Sequence, residues 1–145
     1  MEQKNDLESG FRIVNIILLE EIFKREIIVT FNDPKIQQHI NVDVSVQIKD
    51  RTVNVTETVD LSQEFNGATE FTLKIKSVGI FEFVGESKLS LEDFGNVNGA
   101  AIIFPYIRES ITSIAIKAGL GLIFIPPFDF TKQKANVERA SGKSK

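Results

Sequence analysis

Between residues 40 and 61 this chain alternates with a period of two. Ile40, Val42, Val44, Val46 and Ile48 are apolar, and Asn41, Asp43, Ser45 and Gln47 between them are polar. That period places the two sets on opposite faces of a strand, one toward a core and one toward water. A short turn, Lys49-Asp50-Arg51, interrupts the pattern, and Val53, Val55, Val59 and Leu61 resume it. Glu57 falls where an apolar residue is due; a strand end, a bulge or a change of register would each accommodate it. Asn66-Gly67, a strong hairpin dipeptide, turns the chain again. Phe71, Leu73, Ile75, Phe81 and Phe83 then form one face of a long strand, in which Gly79 marks a bulge or a close approach. The expectation is an antiparallel meander of three strands.

A separate first strand precedes the meander. Residues 11–31, FRIVNIILLEEIFKREIIVTF, are rich in Ile, Val and Phe, with a break expected near Glu20-Glu21. Residues 13–19 are apolar on both alternating faces, which implies burial on both sides, by the core or by a second subunit. Residues 32–39 read as a loop. After the meander, Ile103, Ile107, Ile111, Ile114 and Ala118 recur at helical spacing. Pro105 suits the first turn of that helix and Gly119 its termination. Four strands followed by a helix predict an α+β fold, with the sheet covered on one face. The domain is expected over residues 11–130, with residues 1–10 and 131–145 as unstructured tails.

Little in the chain points to catalysis. Cys is absent, which removes disulfides, thiolate nucleophiles and Cys-ligated metals. His39, the one imidazole, lies in an expected loop and reads as a surface residue; alone it builds no ordinary metal site. The neighbours Glu20-Glu21 and Glu92-Asp93 read as solvated carboxylates, not as an acid–base pair. SGKS at 141–144 lacks the upstream Gly of a phosphate-binding loop, since Val137 holds that position. Gly95 and Gly99 have GxxxG spacing, but in what reads as a loop. The expectation is a protein without enzymatic activity, cofactor or metal. A net charge of -3 argues against a nucleic-acid partner. The charge-free stretches 96–107 and 118–128 fall short of the roughly 18–20 residues of a membrane span, and residues 1–10 lack the build of a signal peptide. A cytoplasmic protein without membrane insertion is expected. What remains is surplus apolar surface. Phe81, Phe83, Phe104, Tyr106, Phe124, Phe128 and Phe130, with the rest of LIFIPPF (122–128), exceed what one helical stripe can cover. Oligomerisation or apolar ligand binding would absorb it.

Several of those residues carry a family resemblance. FPYIRESITSI, residues 104–114, resembles the FPYxRE signature of the SecB protein-export chaperones. GIFEFVG (79–85), PPFDF (126–130) and FRIVNI (11–16) are similar to other family segments in the same order. The resemblance implies a four-stranded antiparallel sheet with a crossover loop after its first strand and one long helix. It further implies an ATP-independent holdase that binds unfolded preproteins in apolar grooves and passes them to SecA. The groove would draw on Phe81, Phe83, Phe104, Tyr106, Ile123, Phe124 and Phe128. Homodimer or homotetramer contacts would use Ile13, Ile17, Ile107, Ile111 and Ile114, and a SecA-docking face Glu20, Glu21, Lys74 and Lys76. The two lysines stand where the family pattern is acidic, and the second helix usual after residue 130 is expected to be short or missing. Two alternatives are a SecB-like chaperone dedicated to one partner, such as an antitoxin of a toxin–antitoxin system, and, with less support, a small-molecule binder.

Overall fold

The computed structural model describes residues 10–85, 90–123, 125, 128–132 and, as backbone, 136–139. Four antiparallel strands follow one another: β1 (Phe11–Arg25), β2 (Gln37–Lys49), β3 (Thr52–Phe65) and β4 (Ala68–Phe83). A short fifth strand, β5 (Asn136–Arg139), completes the spatial order β1-β4-β3-β2-β5. The meander is as expected, with Asn66 and Gly67 both at positive φ in its second turn, as that hairpin type demands. The crossover loop, residues 26–36, carries the chain from β1 to β2 on the far side of the sheet.

Helix α1 (Leu91–Lys117) lies across one face of the sheet. It starts well before Pro105, which sits inside it. The signal missed is Ser90-Leu91-Glu92-Asp93: Ser90 Oγ accepts the Asp93 N–H at 3.0 Å, and two carboxylates occupy the positive end of the helix dipole. Pro105 is tolerated on the exposed side, where water can satisfy the carbonyl its missing N–H leaves behind. The helix ends as its sequence predicts. Gly119 adopts φ +71°, Leu120 N–H donates to Ala115 and Gly119 N–H to Ile116, the two bonds of a Schellman cap.

Gly95 and Gly99 belong to this helix, not to a loop, in a π-helical stretch, Phe94–Gly99. A Cβ at Gly95 would lie 2.7 Å from Val46 Cγ1, and one at Gly99 3.0 Å from Val55 Cγ2. These glycines let the helix backbone approach the sheet directly. Gly79 does the same from the sheet side, beneath Ile103. Between the layers lie Val46, Val53, Val55, Ile75, Phe81, Ile103, Ile107 and Ile111, all buried. By length and composition α1 could cross a bilayer, but its isoleucine stripe is packed in this core.

Other expectations are corrected. The first strand ends at Arg25, so residues 26–31 join the loop. The break near Glu20-Glu21 is a register shift between Leu18 and Glu20. Glu57 occupies neither an end nor a bulge: it pairs in regular register with Val44 and Ser77, fully buried. The C-terminal segment, expected to lack structure, contributes β5, which pairs parallel with Ser45–Ile48 and covers part of the β2 edge. Among the described residues, a 3-10 turn, Phe130–Lys132, stands where a second helix would begin.

Candidate functional groove

The crossover loop and the segment after α1 meet at one end of the molecule, and a guanidinium joins them. Arg25 Nη1 donates to the Ala118 carbonyl at 2.5 Å, Nη2 to Ile27 O at 2.7 Å and Nε to Glu26 O at 2.7 Å. One planar fork thus satisfies a carbonyl at the helix end and two in the loop, with its charge at the negative pole of the helix dipole. Farther along, the Glu70 carboxylate accepts from Thr30 N–H (3.0 Å), Thr30 Oγ1 (2.7 Å) and Gln63 Nε2 (3.0 Å). The Thr30 hydroxyl, then its N–H, then the Gln63 amide hold the Glu70 carboxyl below the usual carboxylate range. Gln63 also donates to Thr30 O and accepts from Gln38. The loop is therefore pinned at both Arg25 and Thr30.

Pinning leaves apolar side chains turned outward. Ile27 (89% exposed), Ile28 (77%) and Phe31 on the loop face water, as does Leu122 (80%) after the helix. Between loop and helix end runs a depression of about 240 Å³, lined by Val29, Phe31, Ile36, Phe71, Leu120 and Ile123. A second, of about 330 Å³, lies against Pro105, Arg108, Glu109, Thr112 and Ile125. Leu122 and Ile123 line both, so the two form one groove around the segment that follows α1. It is open, with apolar residues the larger part of its lining, and its Thr30, Gln38 and Gln63 are hydrogen-bonded to one another or to Glu70. Such a site can hold apolar side chains of an extended chain. Among the described residues no cluster of His, Asp and Glu suits a metal.

The sequence-predicted groove residues separate. Ile123 lines the groove. Tyr106 is exposed on the outer side of α1, and Phe128 is partly exposed in a ring cluster with Phe104 and Phe130. Phe81 and Phe104 are buried in the core between sheet and helix. Phe83 is at the opposite end, against Phe11 and under Arg51. Phe124 lies outside the described residues. Val29, Phe31, Ile36, Leu120 and Leu122 were missed as lining, and Ile27 and Ile28 as exposed neighbours of the groove on the same loop. The signal lay in residues 26–31, where a strand-like apolar run hides a loop.

The proposed oligomer residues separate too. Ile13 and Ile17 are exposed on β1, whereas Ile107, Ile111 and Ile114 pack against their own sheet. The exposed helix side instead presents Tyr106 and Ile116. On the outer sheet face Glu20 meets Lys74 at 3.9 Å, with Lys76 as its cross-strand partner. Glu21 pairs with Ile75 in the helix-facing row and so leaves that face.

Comparison with known proteins agrees with this architecture. The family model for SecB, preprotein translocase subunit SecB, matches residues 13–136. The protein-export protein SecB of Chromobacterium violaceum is 26% identical over 90% of this chain and 89% of its own. That of Cellvibrio japonicus is 26% identical over 77% and 72%. An uncharacterised Methanocaldococcus jannaschii protein is 26% identical over 73% and 71%. The SecB-like chaperone of Mycobacterium tuberculosis, solved with a peptide from the HigA1 antitoxin, superposes with a TM-score of 0.69 at 15% identity, covering 83% of this chain and 91% of that one. The chain belongs to the SecB family, and a chaperone role follows from that membership.

Proposed function

We propose that this SecB-family chain is an ATP-independent holdase, which keeps unfolded preproteins in the groove described above for Sec-dependent export from the cytoplasm. The observation that carries this reading is the ring of outward-facing Ile27, Ile28, Phe31 and Leu122 around a groove held by Arg25. Each apolar client side chain buried there contributes about 1.5–3 kcal/mol. Several such sites on a homodimer or homotetramer add through effective concentration. The test is suppression of aggregation of an unfolded client without nucleotide. Phe31→Ser and Leu122→Ser replace exposed side chains, so both should lose suppression while the thermal midpoint stays nearly unchanged. Equal suppression by the double variant would overturn the groove assignment.

A second reading is a chaperone dedicated to one partner, such as an antitoxin, using the same groove. The Glu20–Lys74 pair favours it, because an outer face of cancelling charges is a poor dock for a basic SecA tail. Lys74→Glu should strengthen binding of such a tail. Tight, salt-sensitive binding to the unmodified chain would instead favour export.

A further inference from the structure

We infer that Arg108 holds the backbone of a client: its guanidinium donates to peptide carbonyls of the extended segment whose apolar side chains fill the groove. This rests on the reading that clients are unfolded polypeptides held in the groove. Two observations carry it.

The first is a guanidinium without an acceptor. Arg12 pairs with Glu82, Arg25 donates to three carbonyls, and Arg51 donates to Phe83 O and Gly85 O. Arg108 makes no hydrogen bond or ion pair with any described residue. It is nevertheless held in place. Its guanidinium carbon lies 5.4 Å from the centre of the Phe104 ring, which is buried and braced by Phe128 and Phe130. Packing on an aromatic face fixes a guanidinium and leaves the donors at its edge open.

The second is the make-up of the groove wall. Pro105, Arg108, Glu109 and Thr112 follow the i, i+3, i+4, i+7 spacing of one helix stripe, and all four line the depression of about 330 Å³. Leu122, Ile123 and Ile125 complete its lining from the segment after α1. One wall is therefore apolar and the other polar. An extended chain that turns its apolar side chains to Leu122, Ile123 and Ile125 brings its peptide C=O and N–H groups to α1. Buried there without partners, those groups would oppose binding. Arg108 offers donors, the Glu109 carboxylate an acceptor and the Thr112 hydroxyl both. Glu109 also decides what Arg108 binds. With that carboxylate beside it, the guanidinium is a poor trap for a client Asp or Glu. The two side chains together match a neutral peptide unit, which carries one donor and one acceptor. Recognition of this kind reads no particular side chain, which suits a binder of many unfolded chains.

The test uses the full chain and a terminally blocked, uncharged, apolar peptide long enough to span the groove. A set of analogues replaces each central amide in turn by an ester, which weakens that carbonyl as an acceptor and removes one N–H. Affinities are measured by titration calorimetry. Arg108→Met keeps an apolar stem over Phe104 and removes every donor. It should weaken binding of the amide peptide about five- to tenfold, with the thermal midpoint nearly unchanged. Arg108→Lys should recover part of the loss. At least one ester should bind the parent several-fold more weakly than the amide peptide, yet bind Arg108→Met no more weakly, because the contact it loses is already gone. Equal ester penalties in parent and variant would make Arg108 a packing residue and overturn the proposal, with the groove reading intact. Tighter binding of a peptide with a central Asp, in a manner abolished by salt, would assign Arg108 to client carboxylates and overturn the backbone assignment. No binding of the amide peptide by the parent would overturn this proposal and the groove reading together.

Discussion

Arg25 donates to the carbonyl of Ala118 across 93 positions of sequence, tying the end of β1 to the end of α1. The same guanidinium holds Glu26 and Ile27, so the loop's apolar display depends on it. Arg25→Gln should cost only about 1 kcal/mol of stability, since the side chain is partly exposed. Amide exchange at residues 26–31 should speed up, and client affinity should fall several-fold. Arg25→Lys, with a single donor centre, should recover only part of that affinity. Unaltered exchange in the loop would remove Arg25 from this positioning role.

Glu57 should make stability depend on pH in a direction opposite to that of a salt-bridged carboxylate. It is fully buried opposite Ser77, and neither carboxyl oxygen has a hydrogen-bond partner. Burial pushes its pKa up to about 8. The folded state therefore keeps a proton that the unfolded chain releases near its ordinary value of 4.5. The contribution of this group is full below about 4.5 and is lost as pH climbs to about 8, for a total on the order of a few kcal/mol. Glu57→Gln should gain stability relative to the parent between pH 5 and pH 8. Parallel urea midpoints at the two pH values would show that the carboxyl is hydrated instead.

Gly79→Ala should destabilise by about 1–3 kcal/mol, because overpacking forces neighbours off their rotamers. Its Cβ would lie 2.8 Å from both Ile103 Cδ1 and Phe81 Cε2. Pairing it with Ile103→Val, which removes the Cδ1 methyl, should recover part of the loss in urea denaturation. If the double variant is no better than the sum of the singles, the contact is not what makes glycine necessary.

The meander was legible because each of its signals is local. The alternation about Val44 and Val46, the Asn66-Gly67 turn and the Gly119 cap need no distant partner to be read. The groove was not, because it depends on contacts far apart in sequence. Nothing near residues 26–31 distinguishes a loop from a strand continuation; Arg25 ends the strand by bonding to Ala118, and Thr30 is held by Glu70. The Pro105 reading failed for a related reason. Proline is suited to a first turn, but a capped helix already begun at Ser90 absorbs it on its wet side. Phe81 and Phe104 resemble groove lining in sequence because aromatic residues serve cores and ligand sites equally. Only the close approach of α1 over Gly79, Gly95 and Gly99 puts them inside.

Exposed aliphatic side chains on both faces of β1 lead to the final prediction. Ile13, Val14, Ile17, Leu18, Leu19 and Ile22 are all exposed in the protomer, a contiguous apolar strip along a sheet edge. Strips of this kind on natural chains mark subunit contacts. Light scattering should therefore give a multiple of 16.3 kDa. Leu18→Lys puts a charge where the lone protomer has solvent, so it should lower the assembly mass and leave the circular dichroism spectrum intact. Ile107→Lys should behave differently. Its side chain is fully buried beneath its own helix, so the substitution buries an unpaired charge and should unfold the protomer. A parent chain that scatters as a monomer at micromolar concentration would remove the β1 interface. An Ile107→Lys chain that stays folded while losing mass would move the interface to the helix stripe.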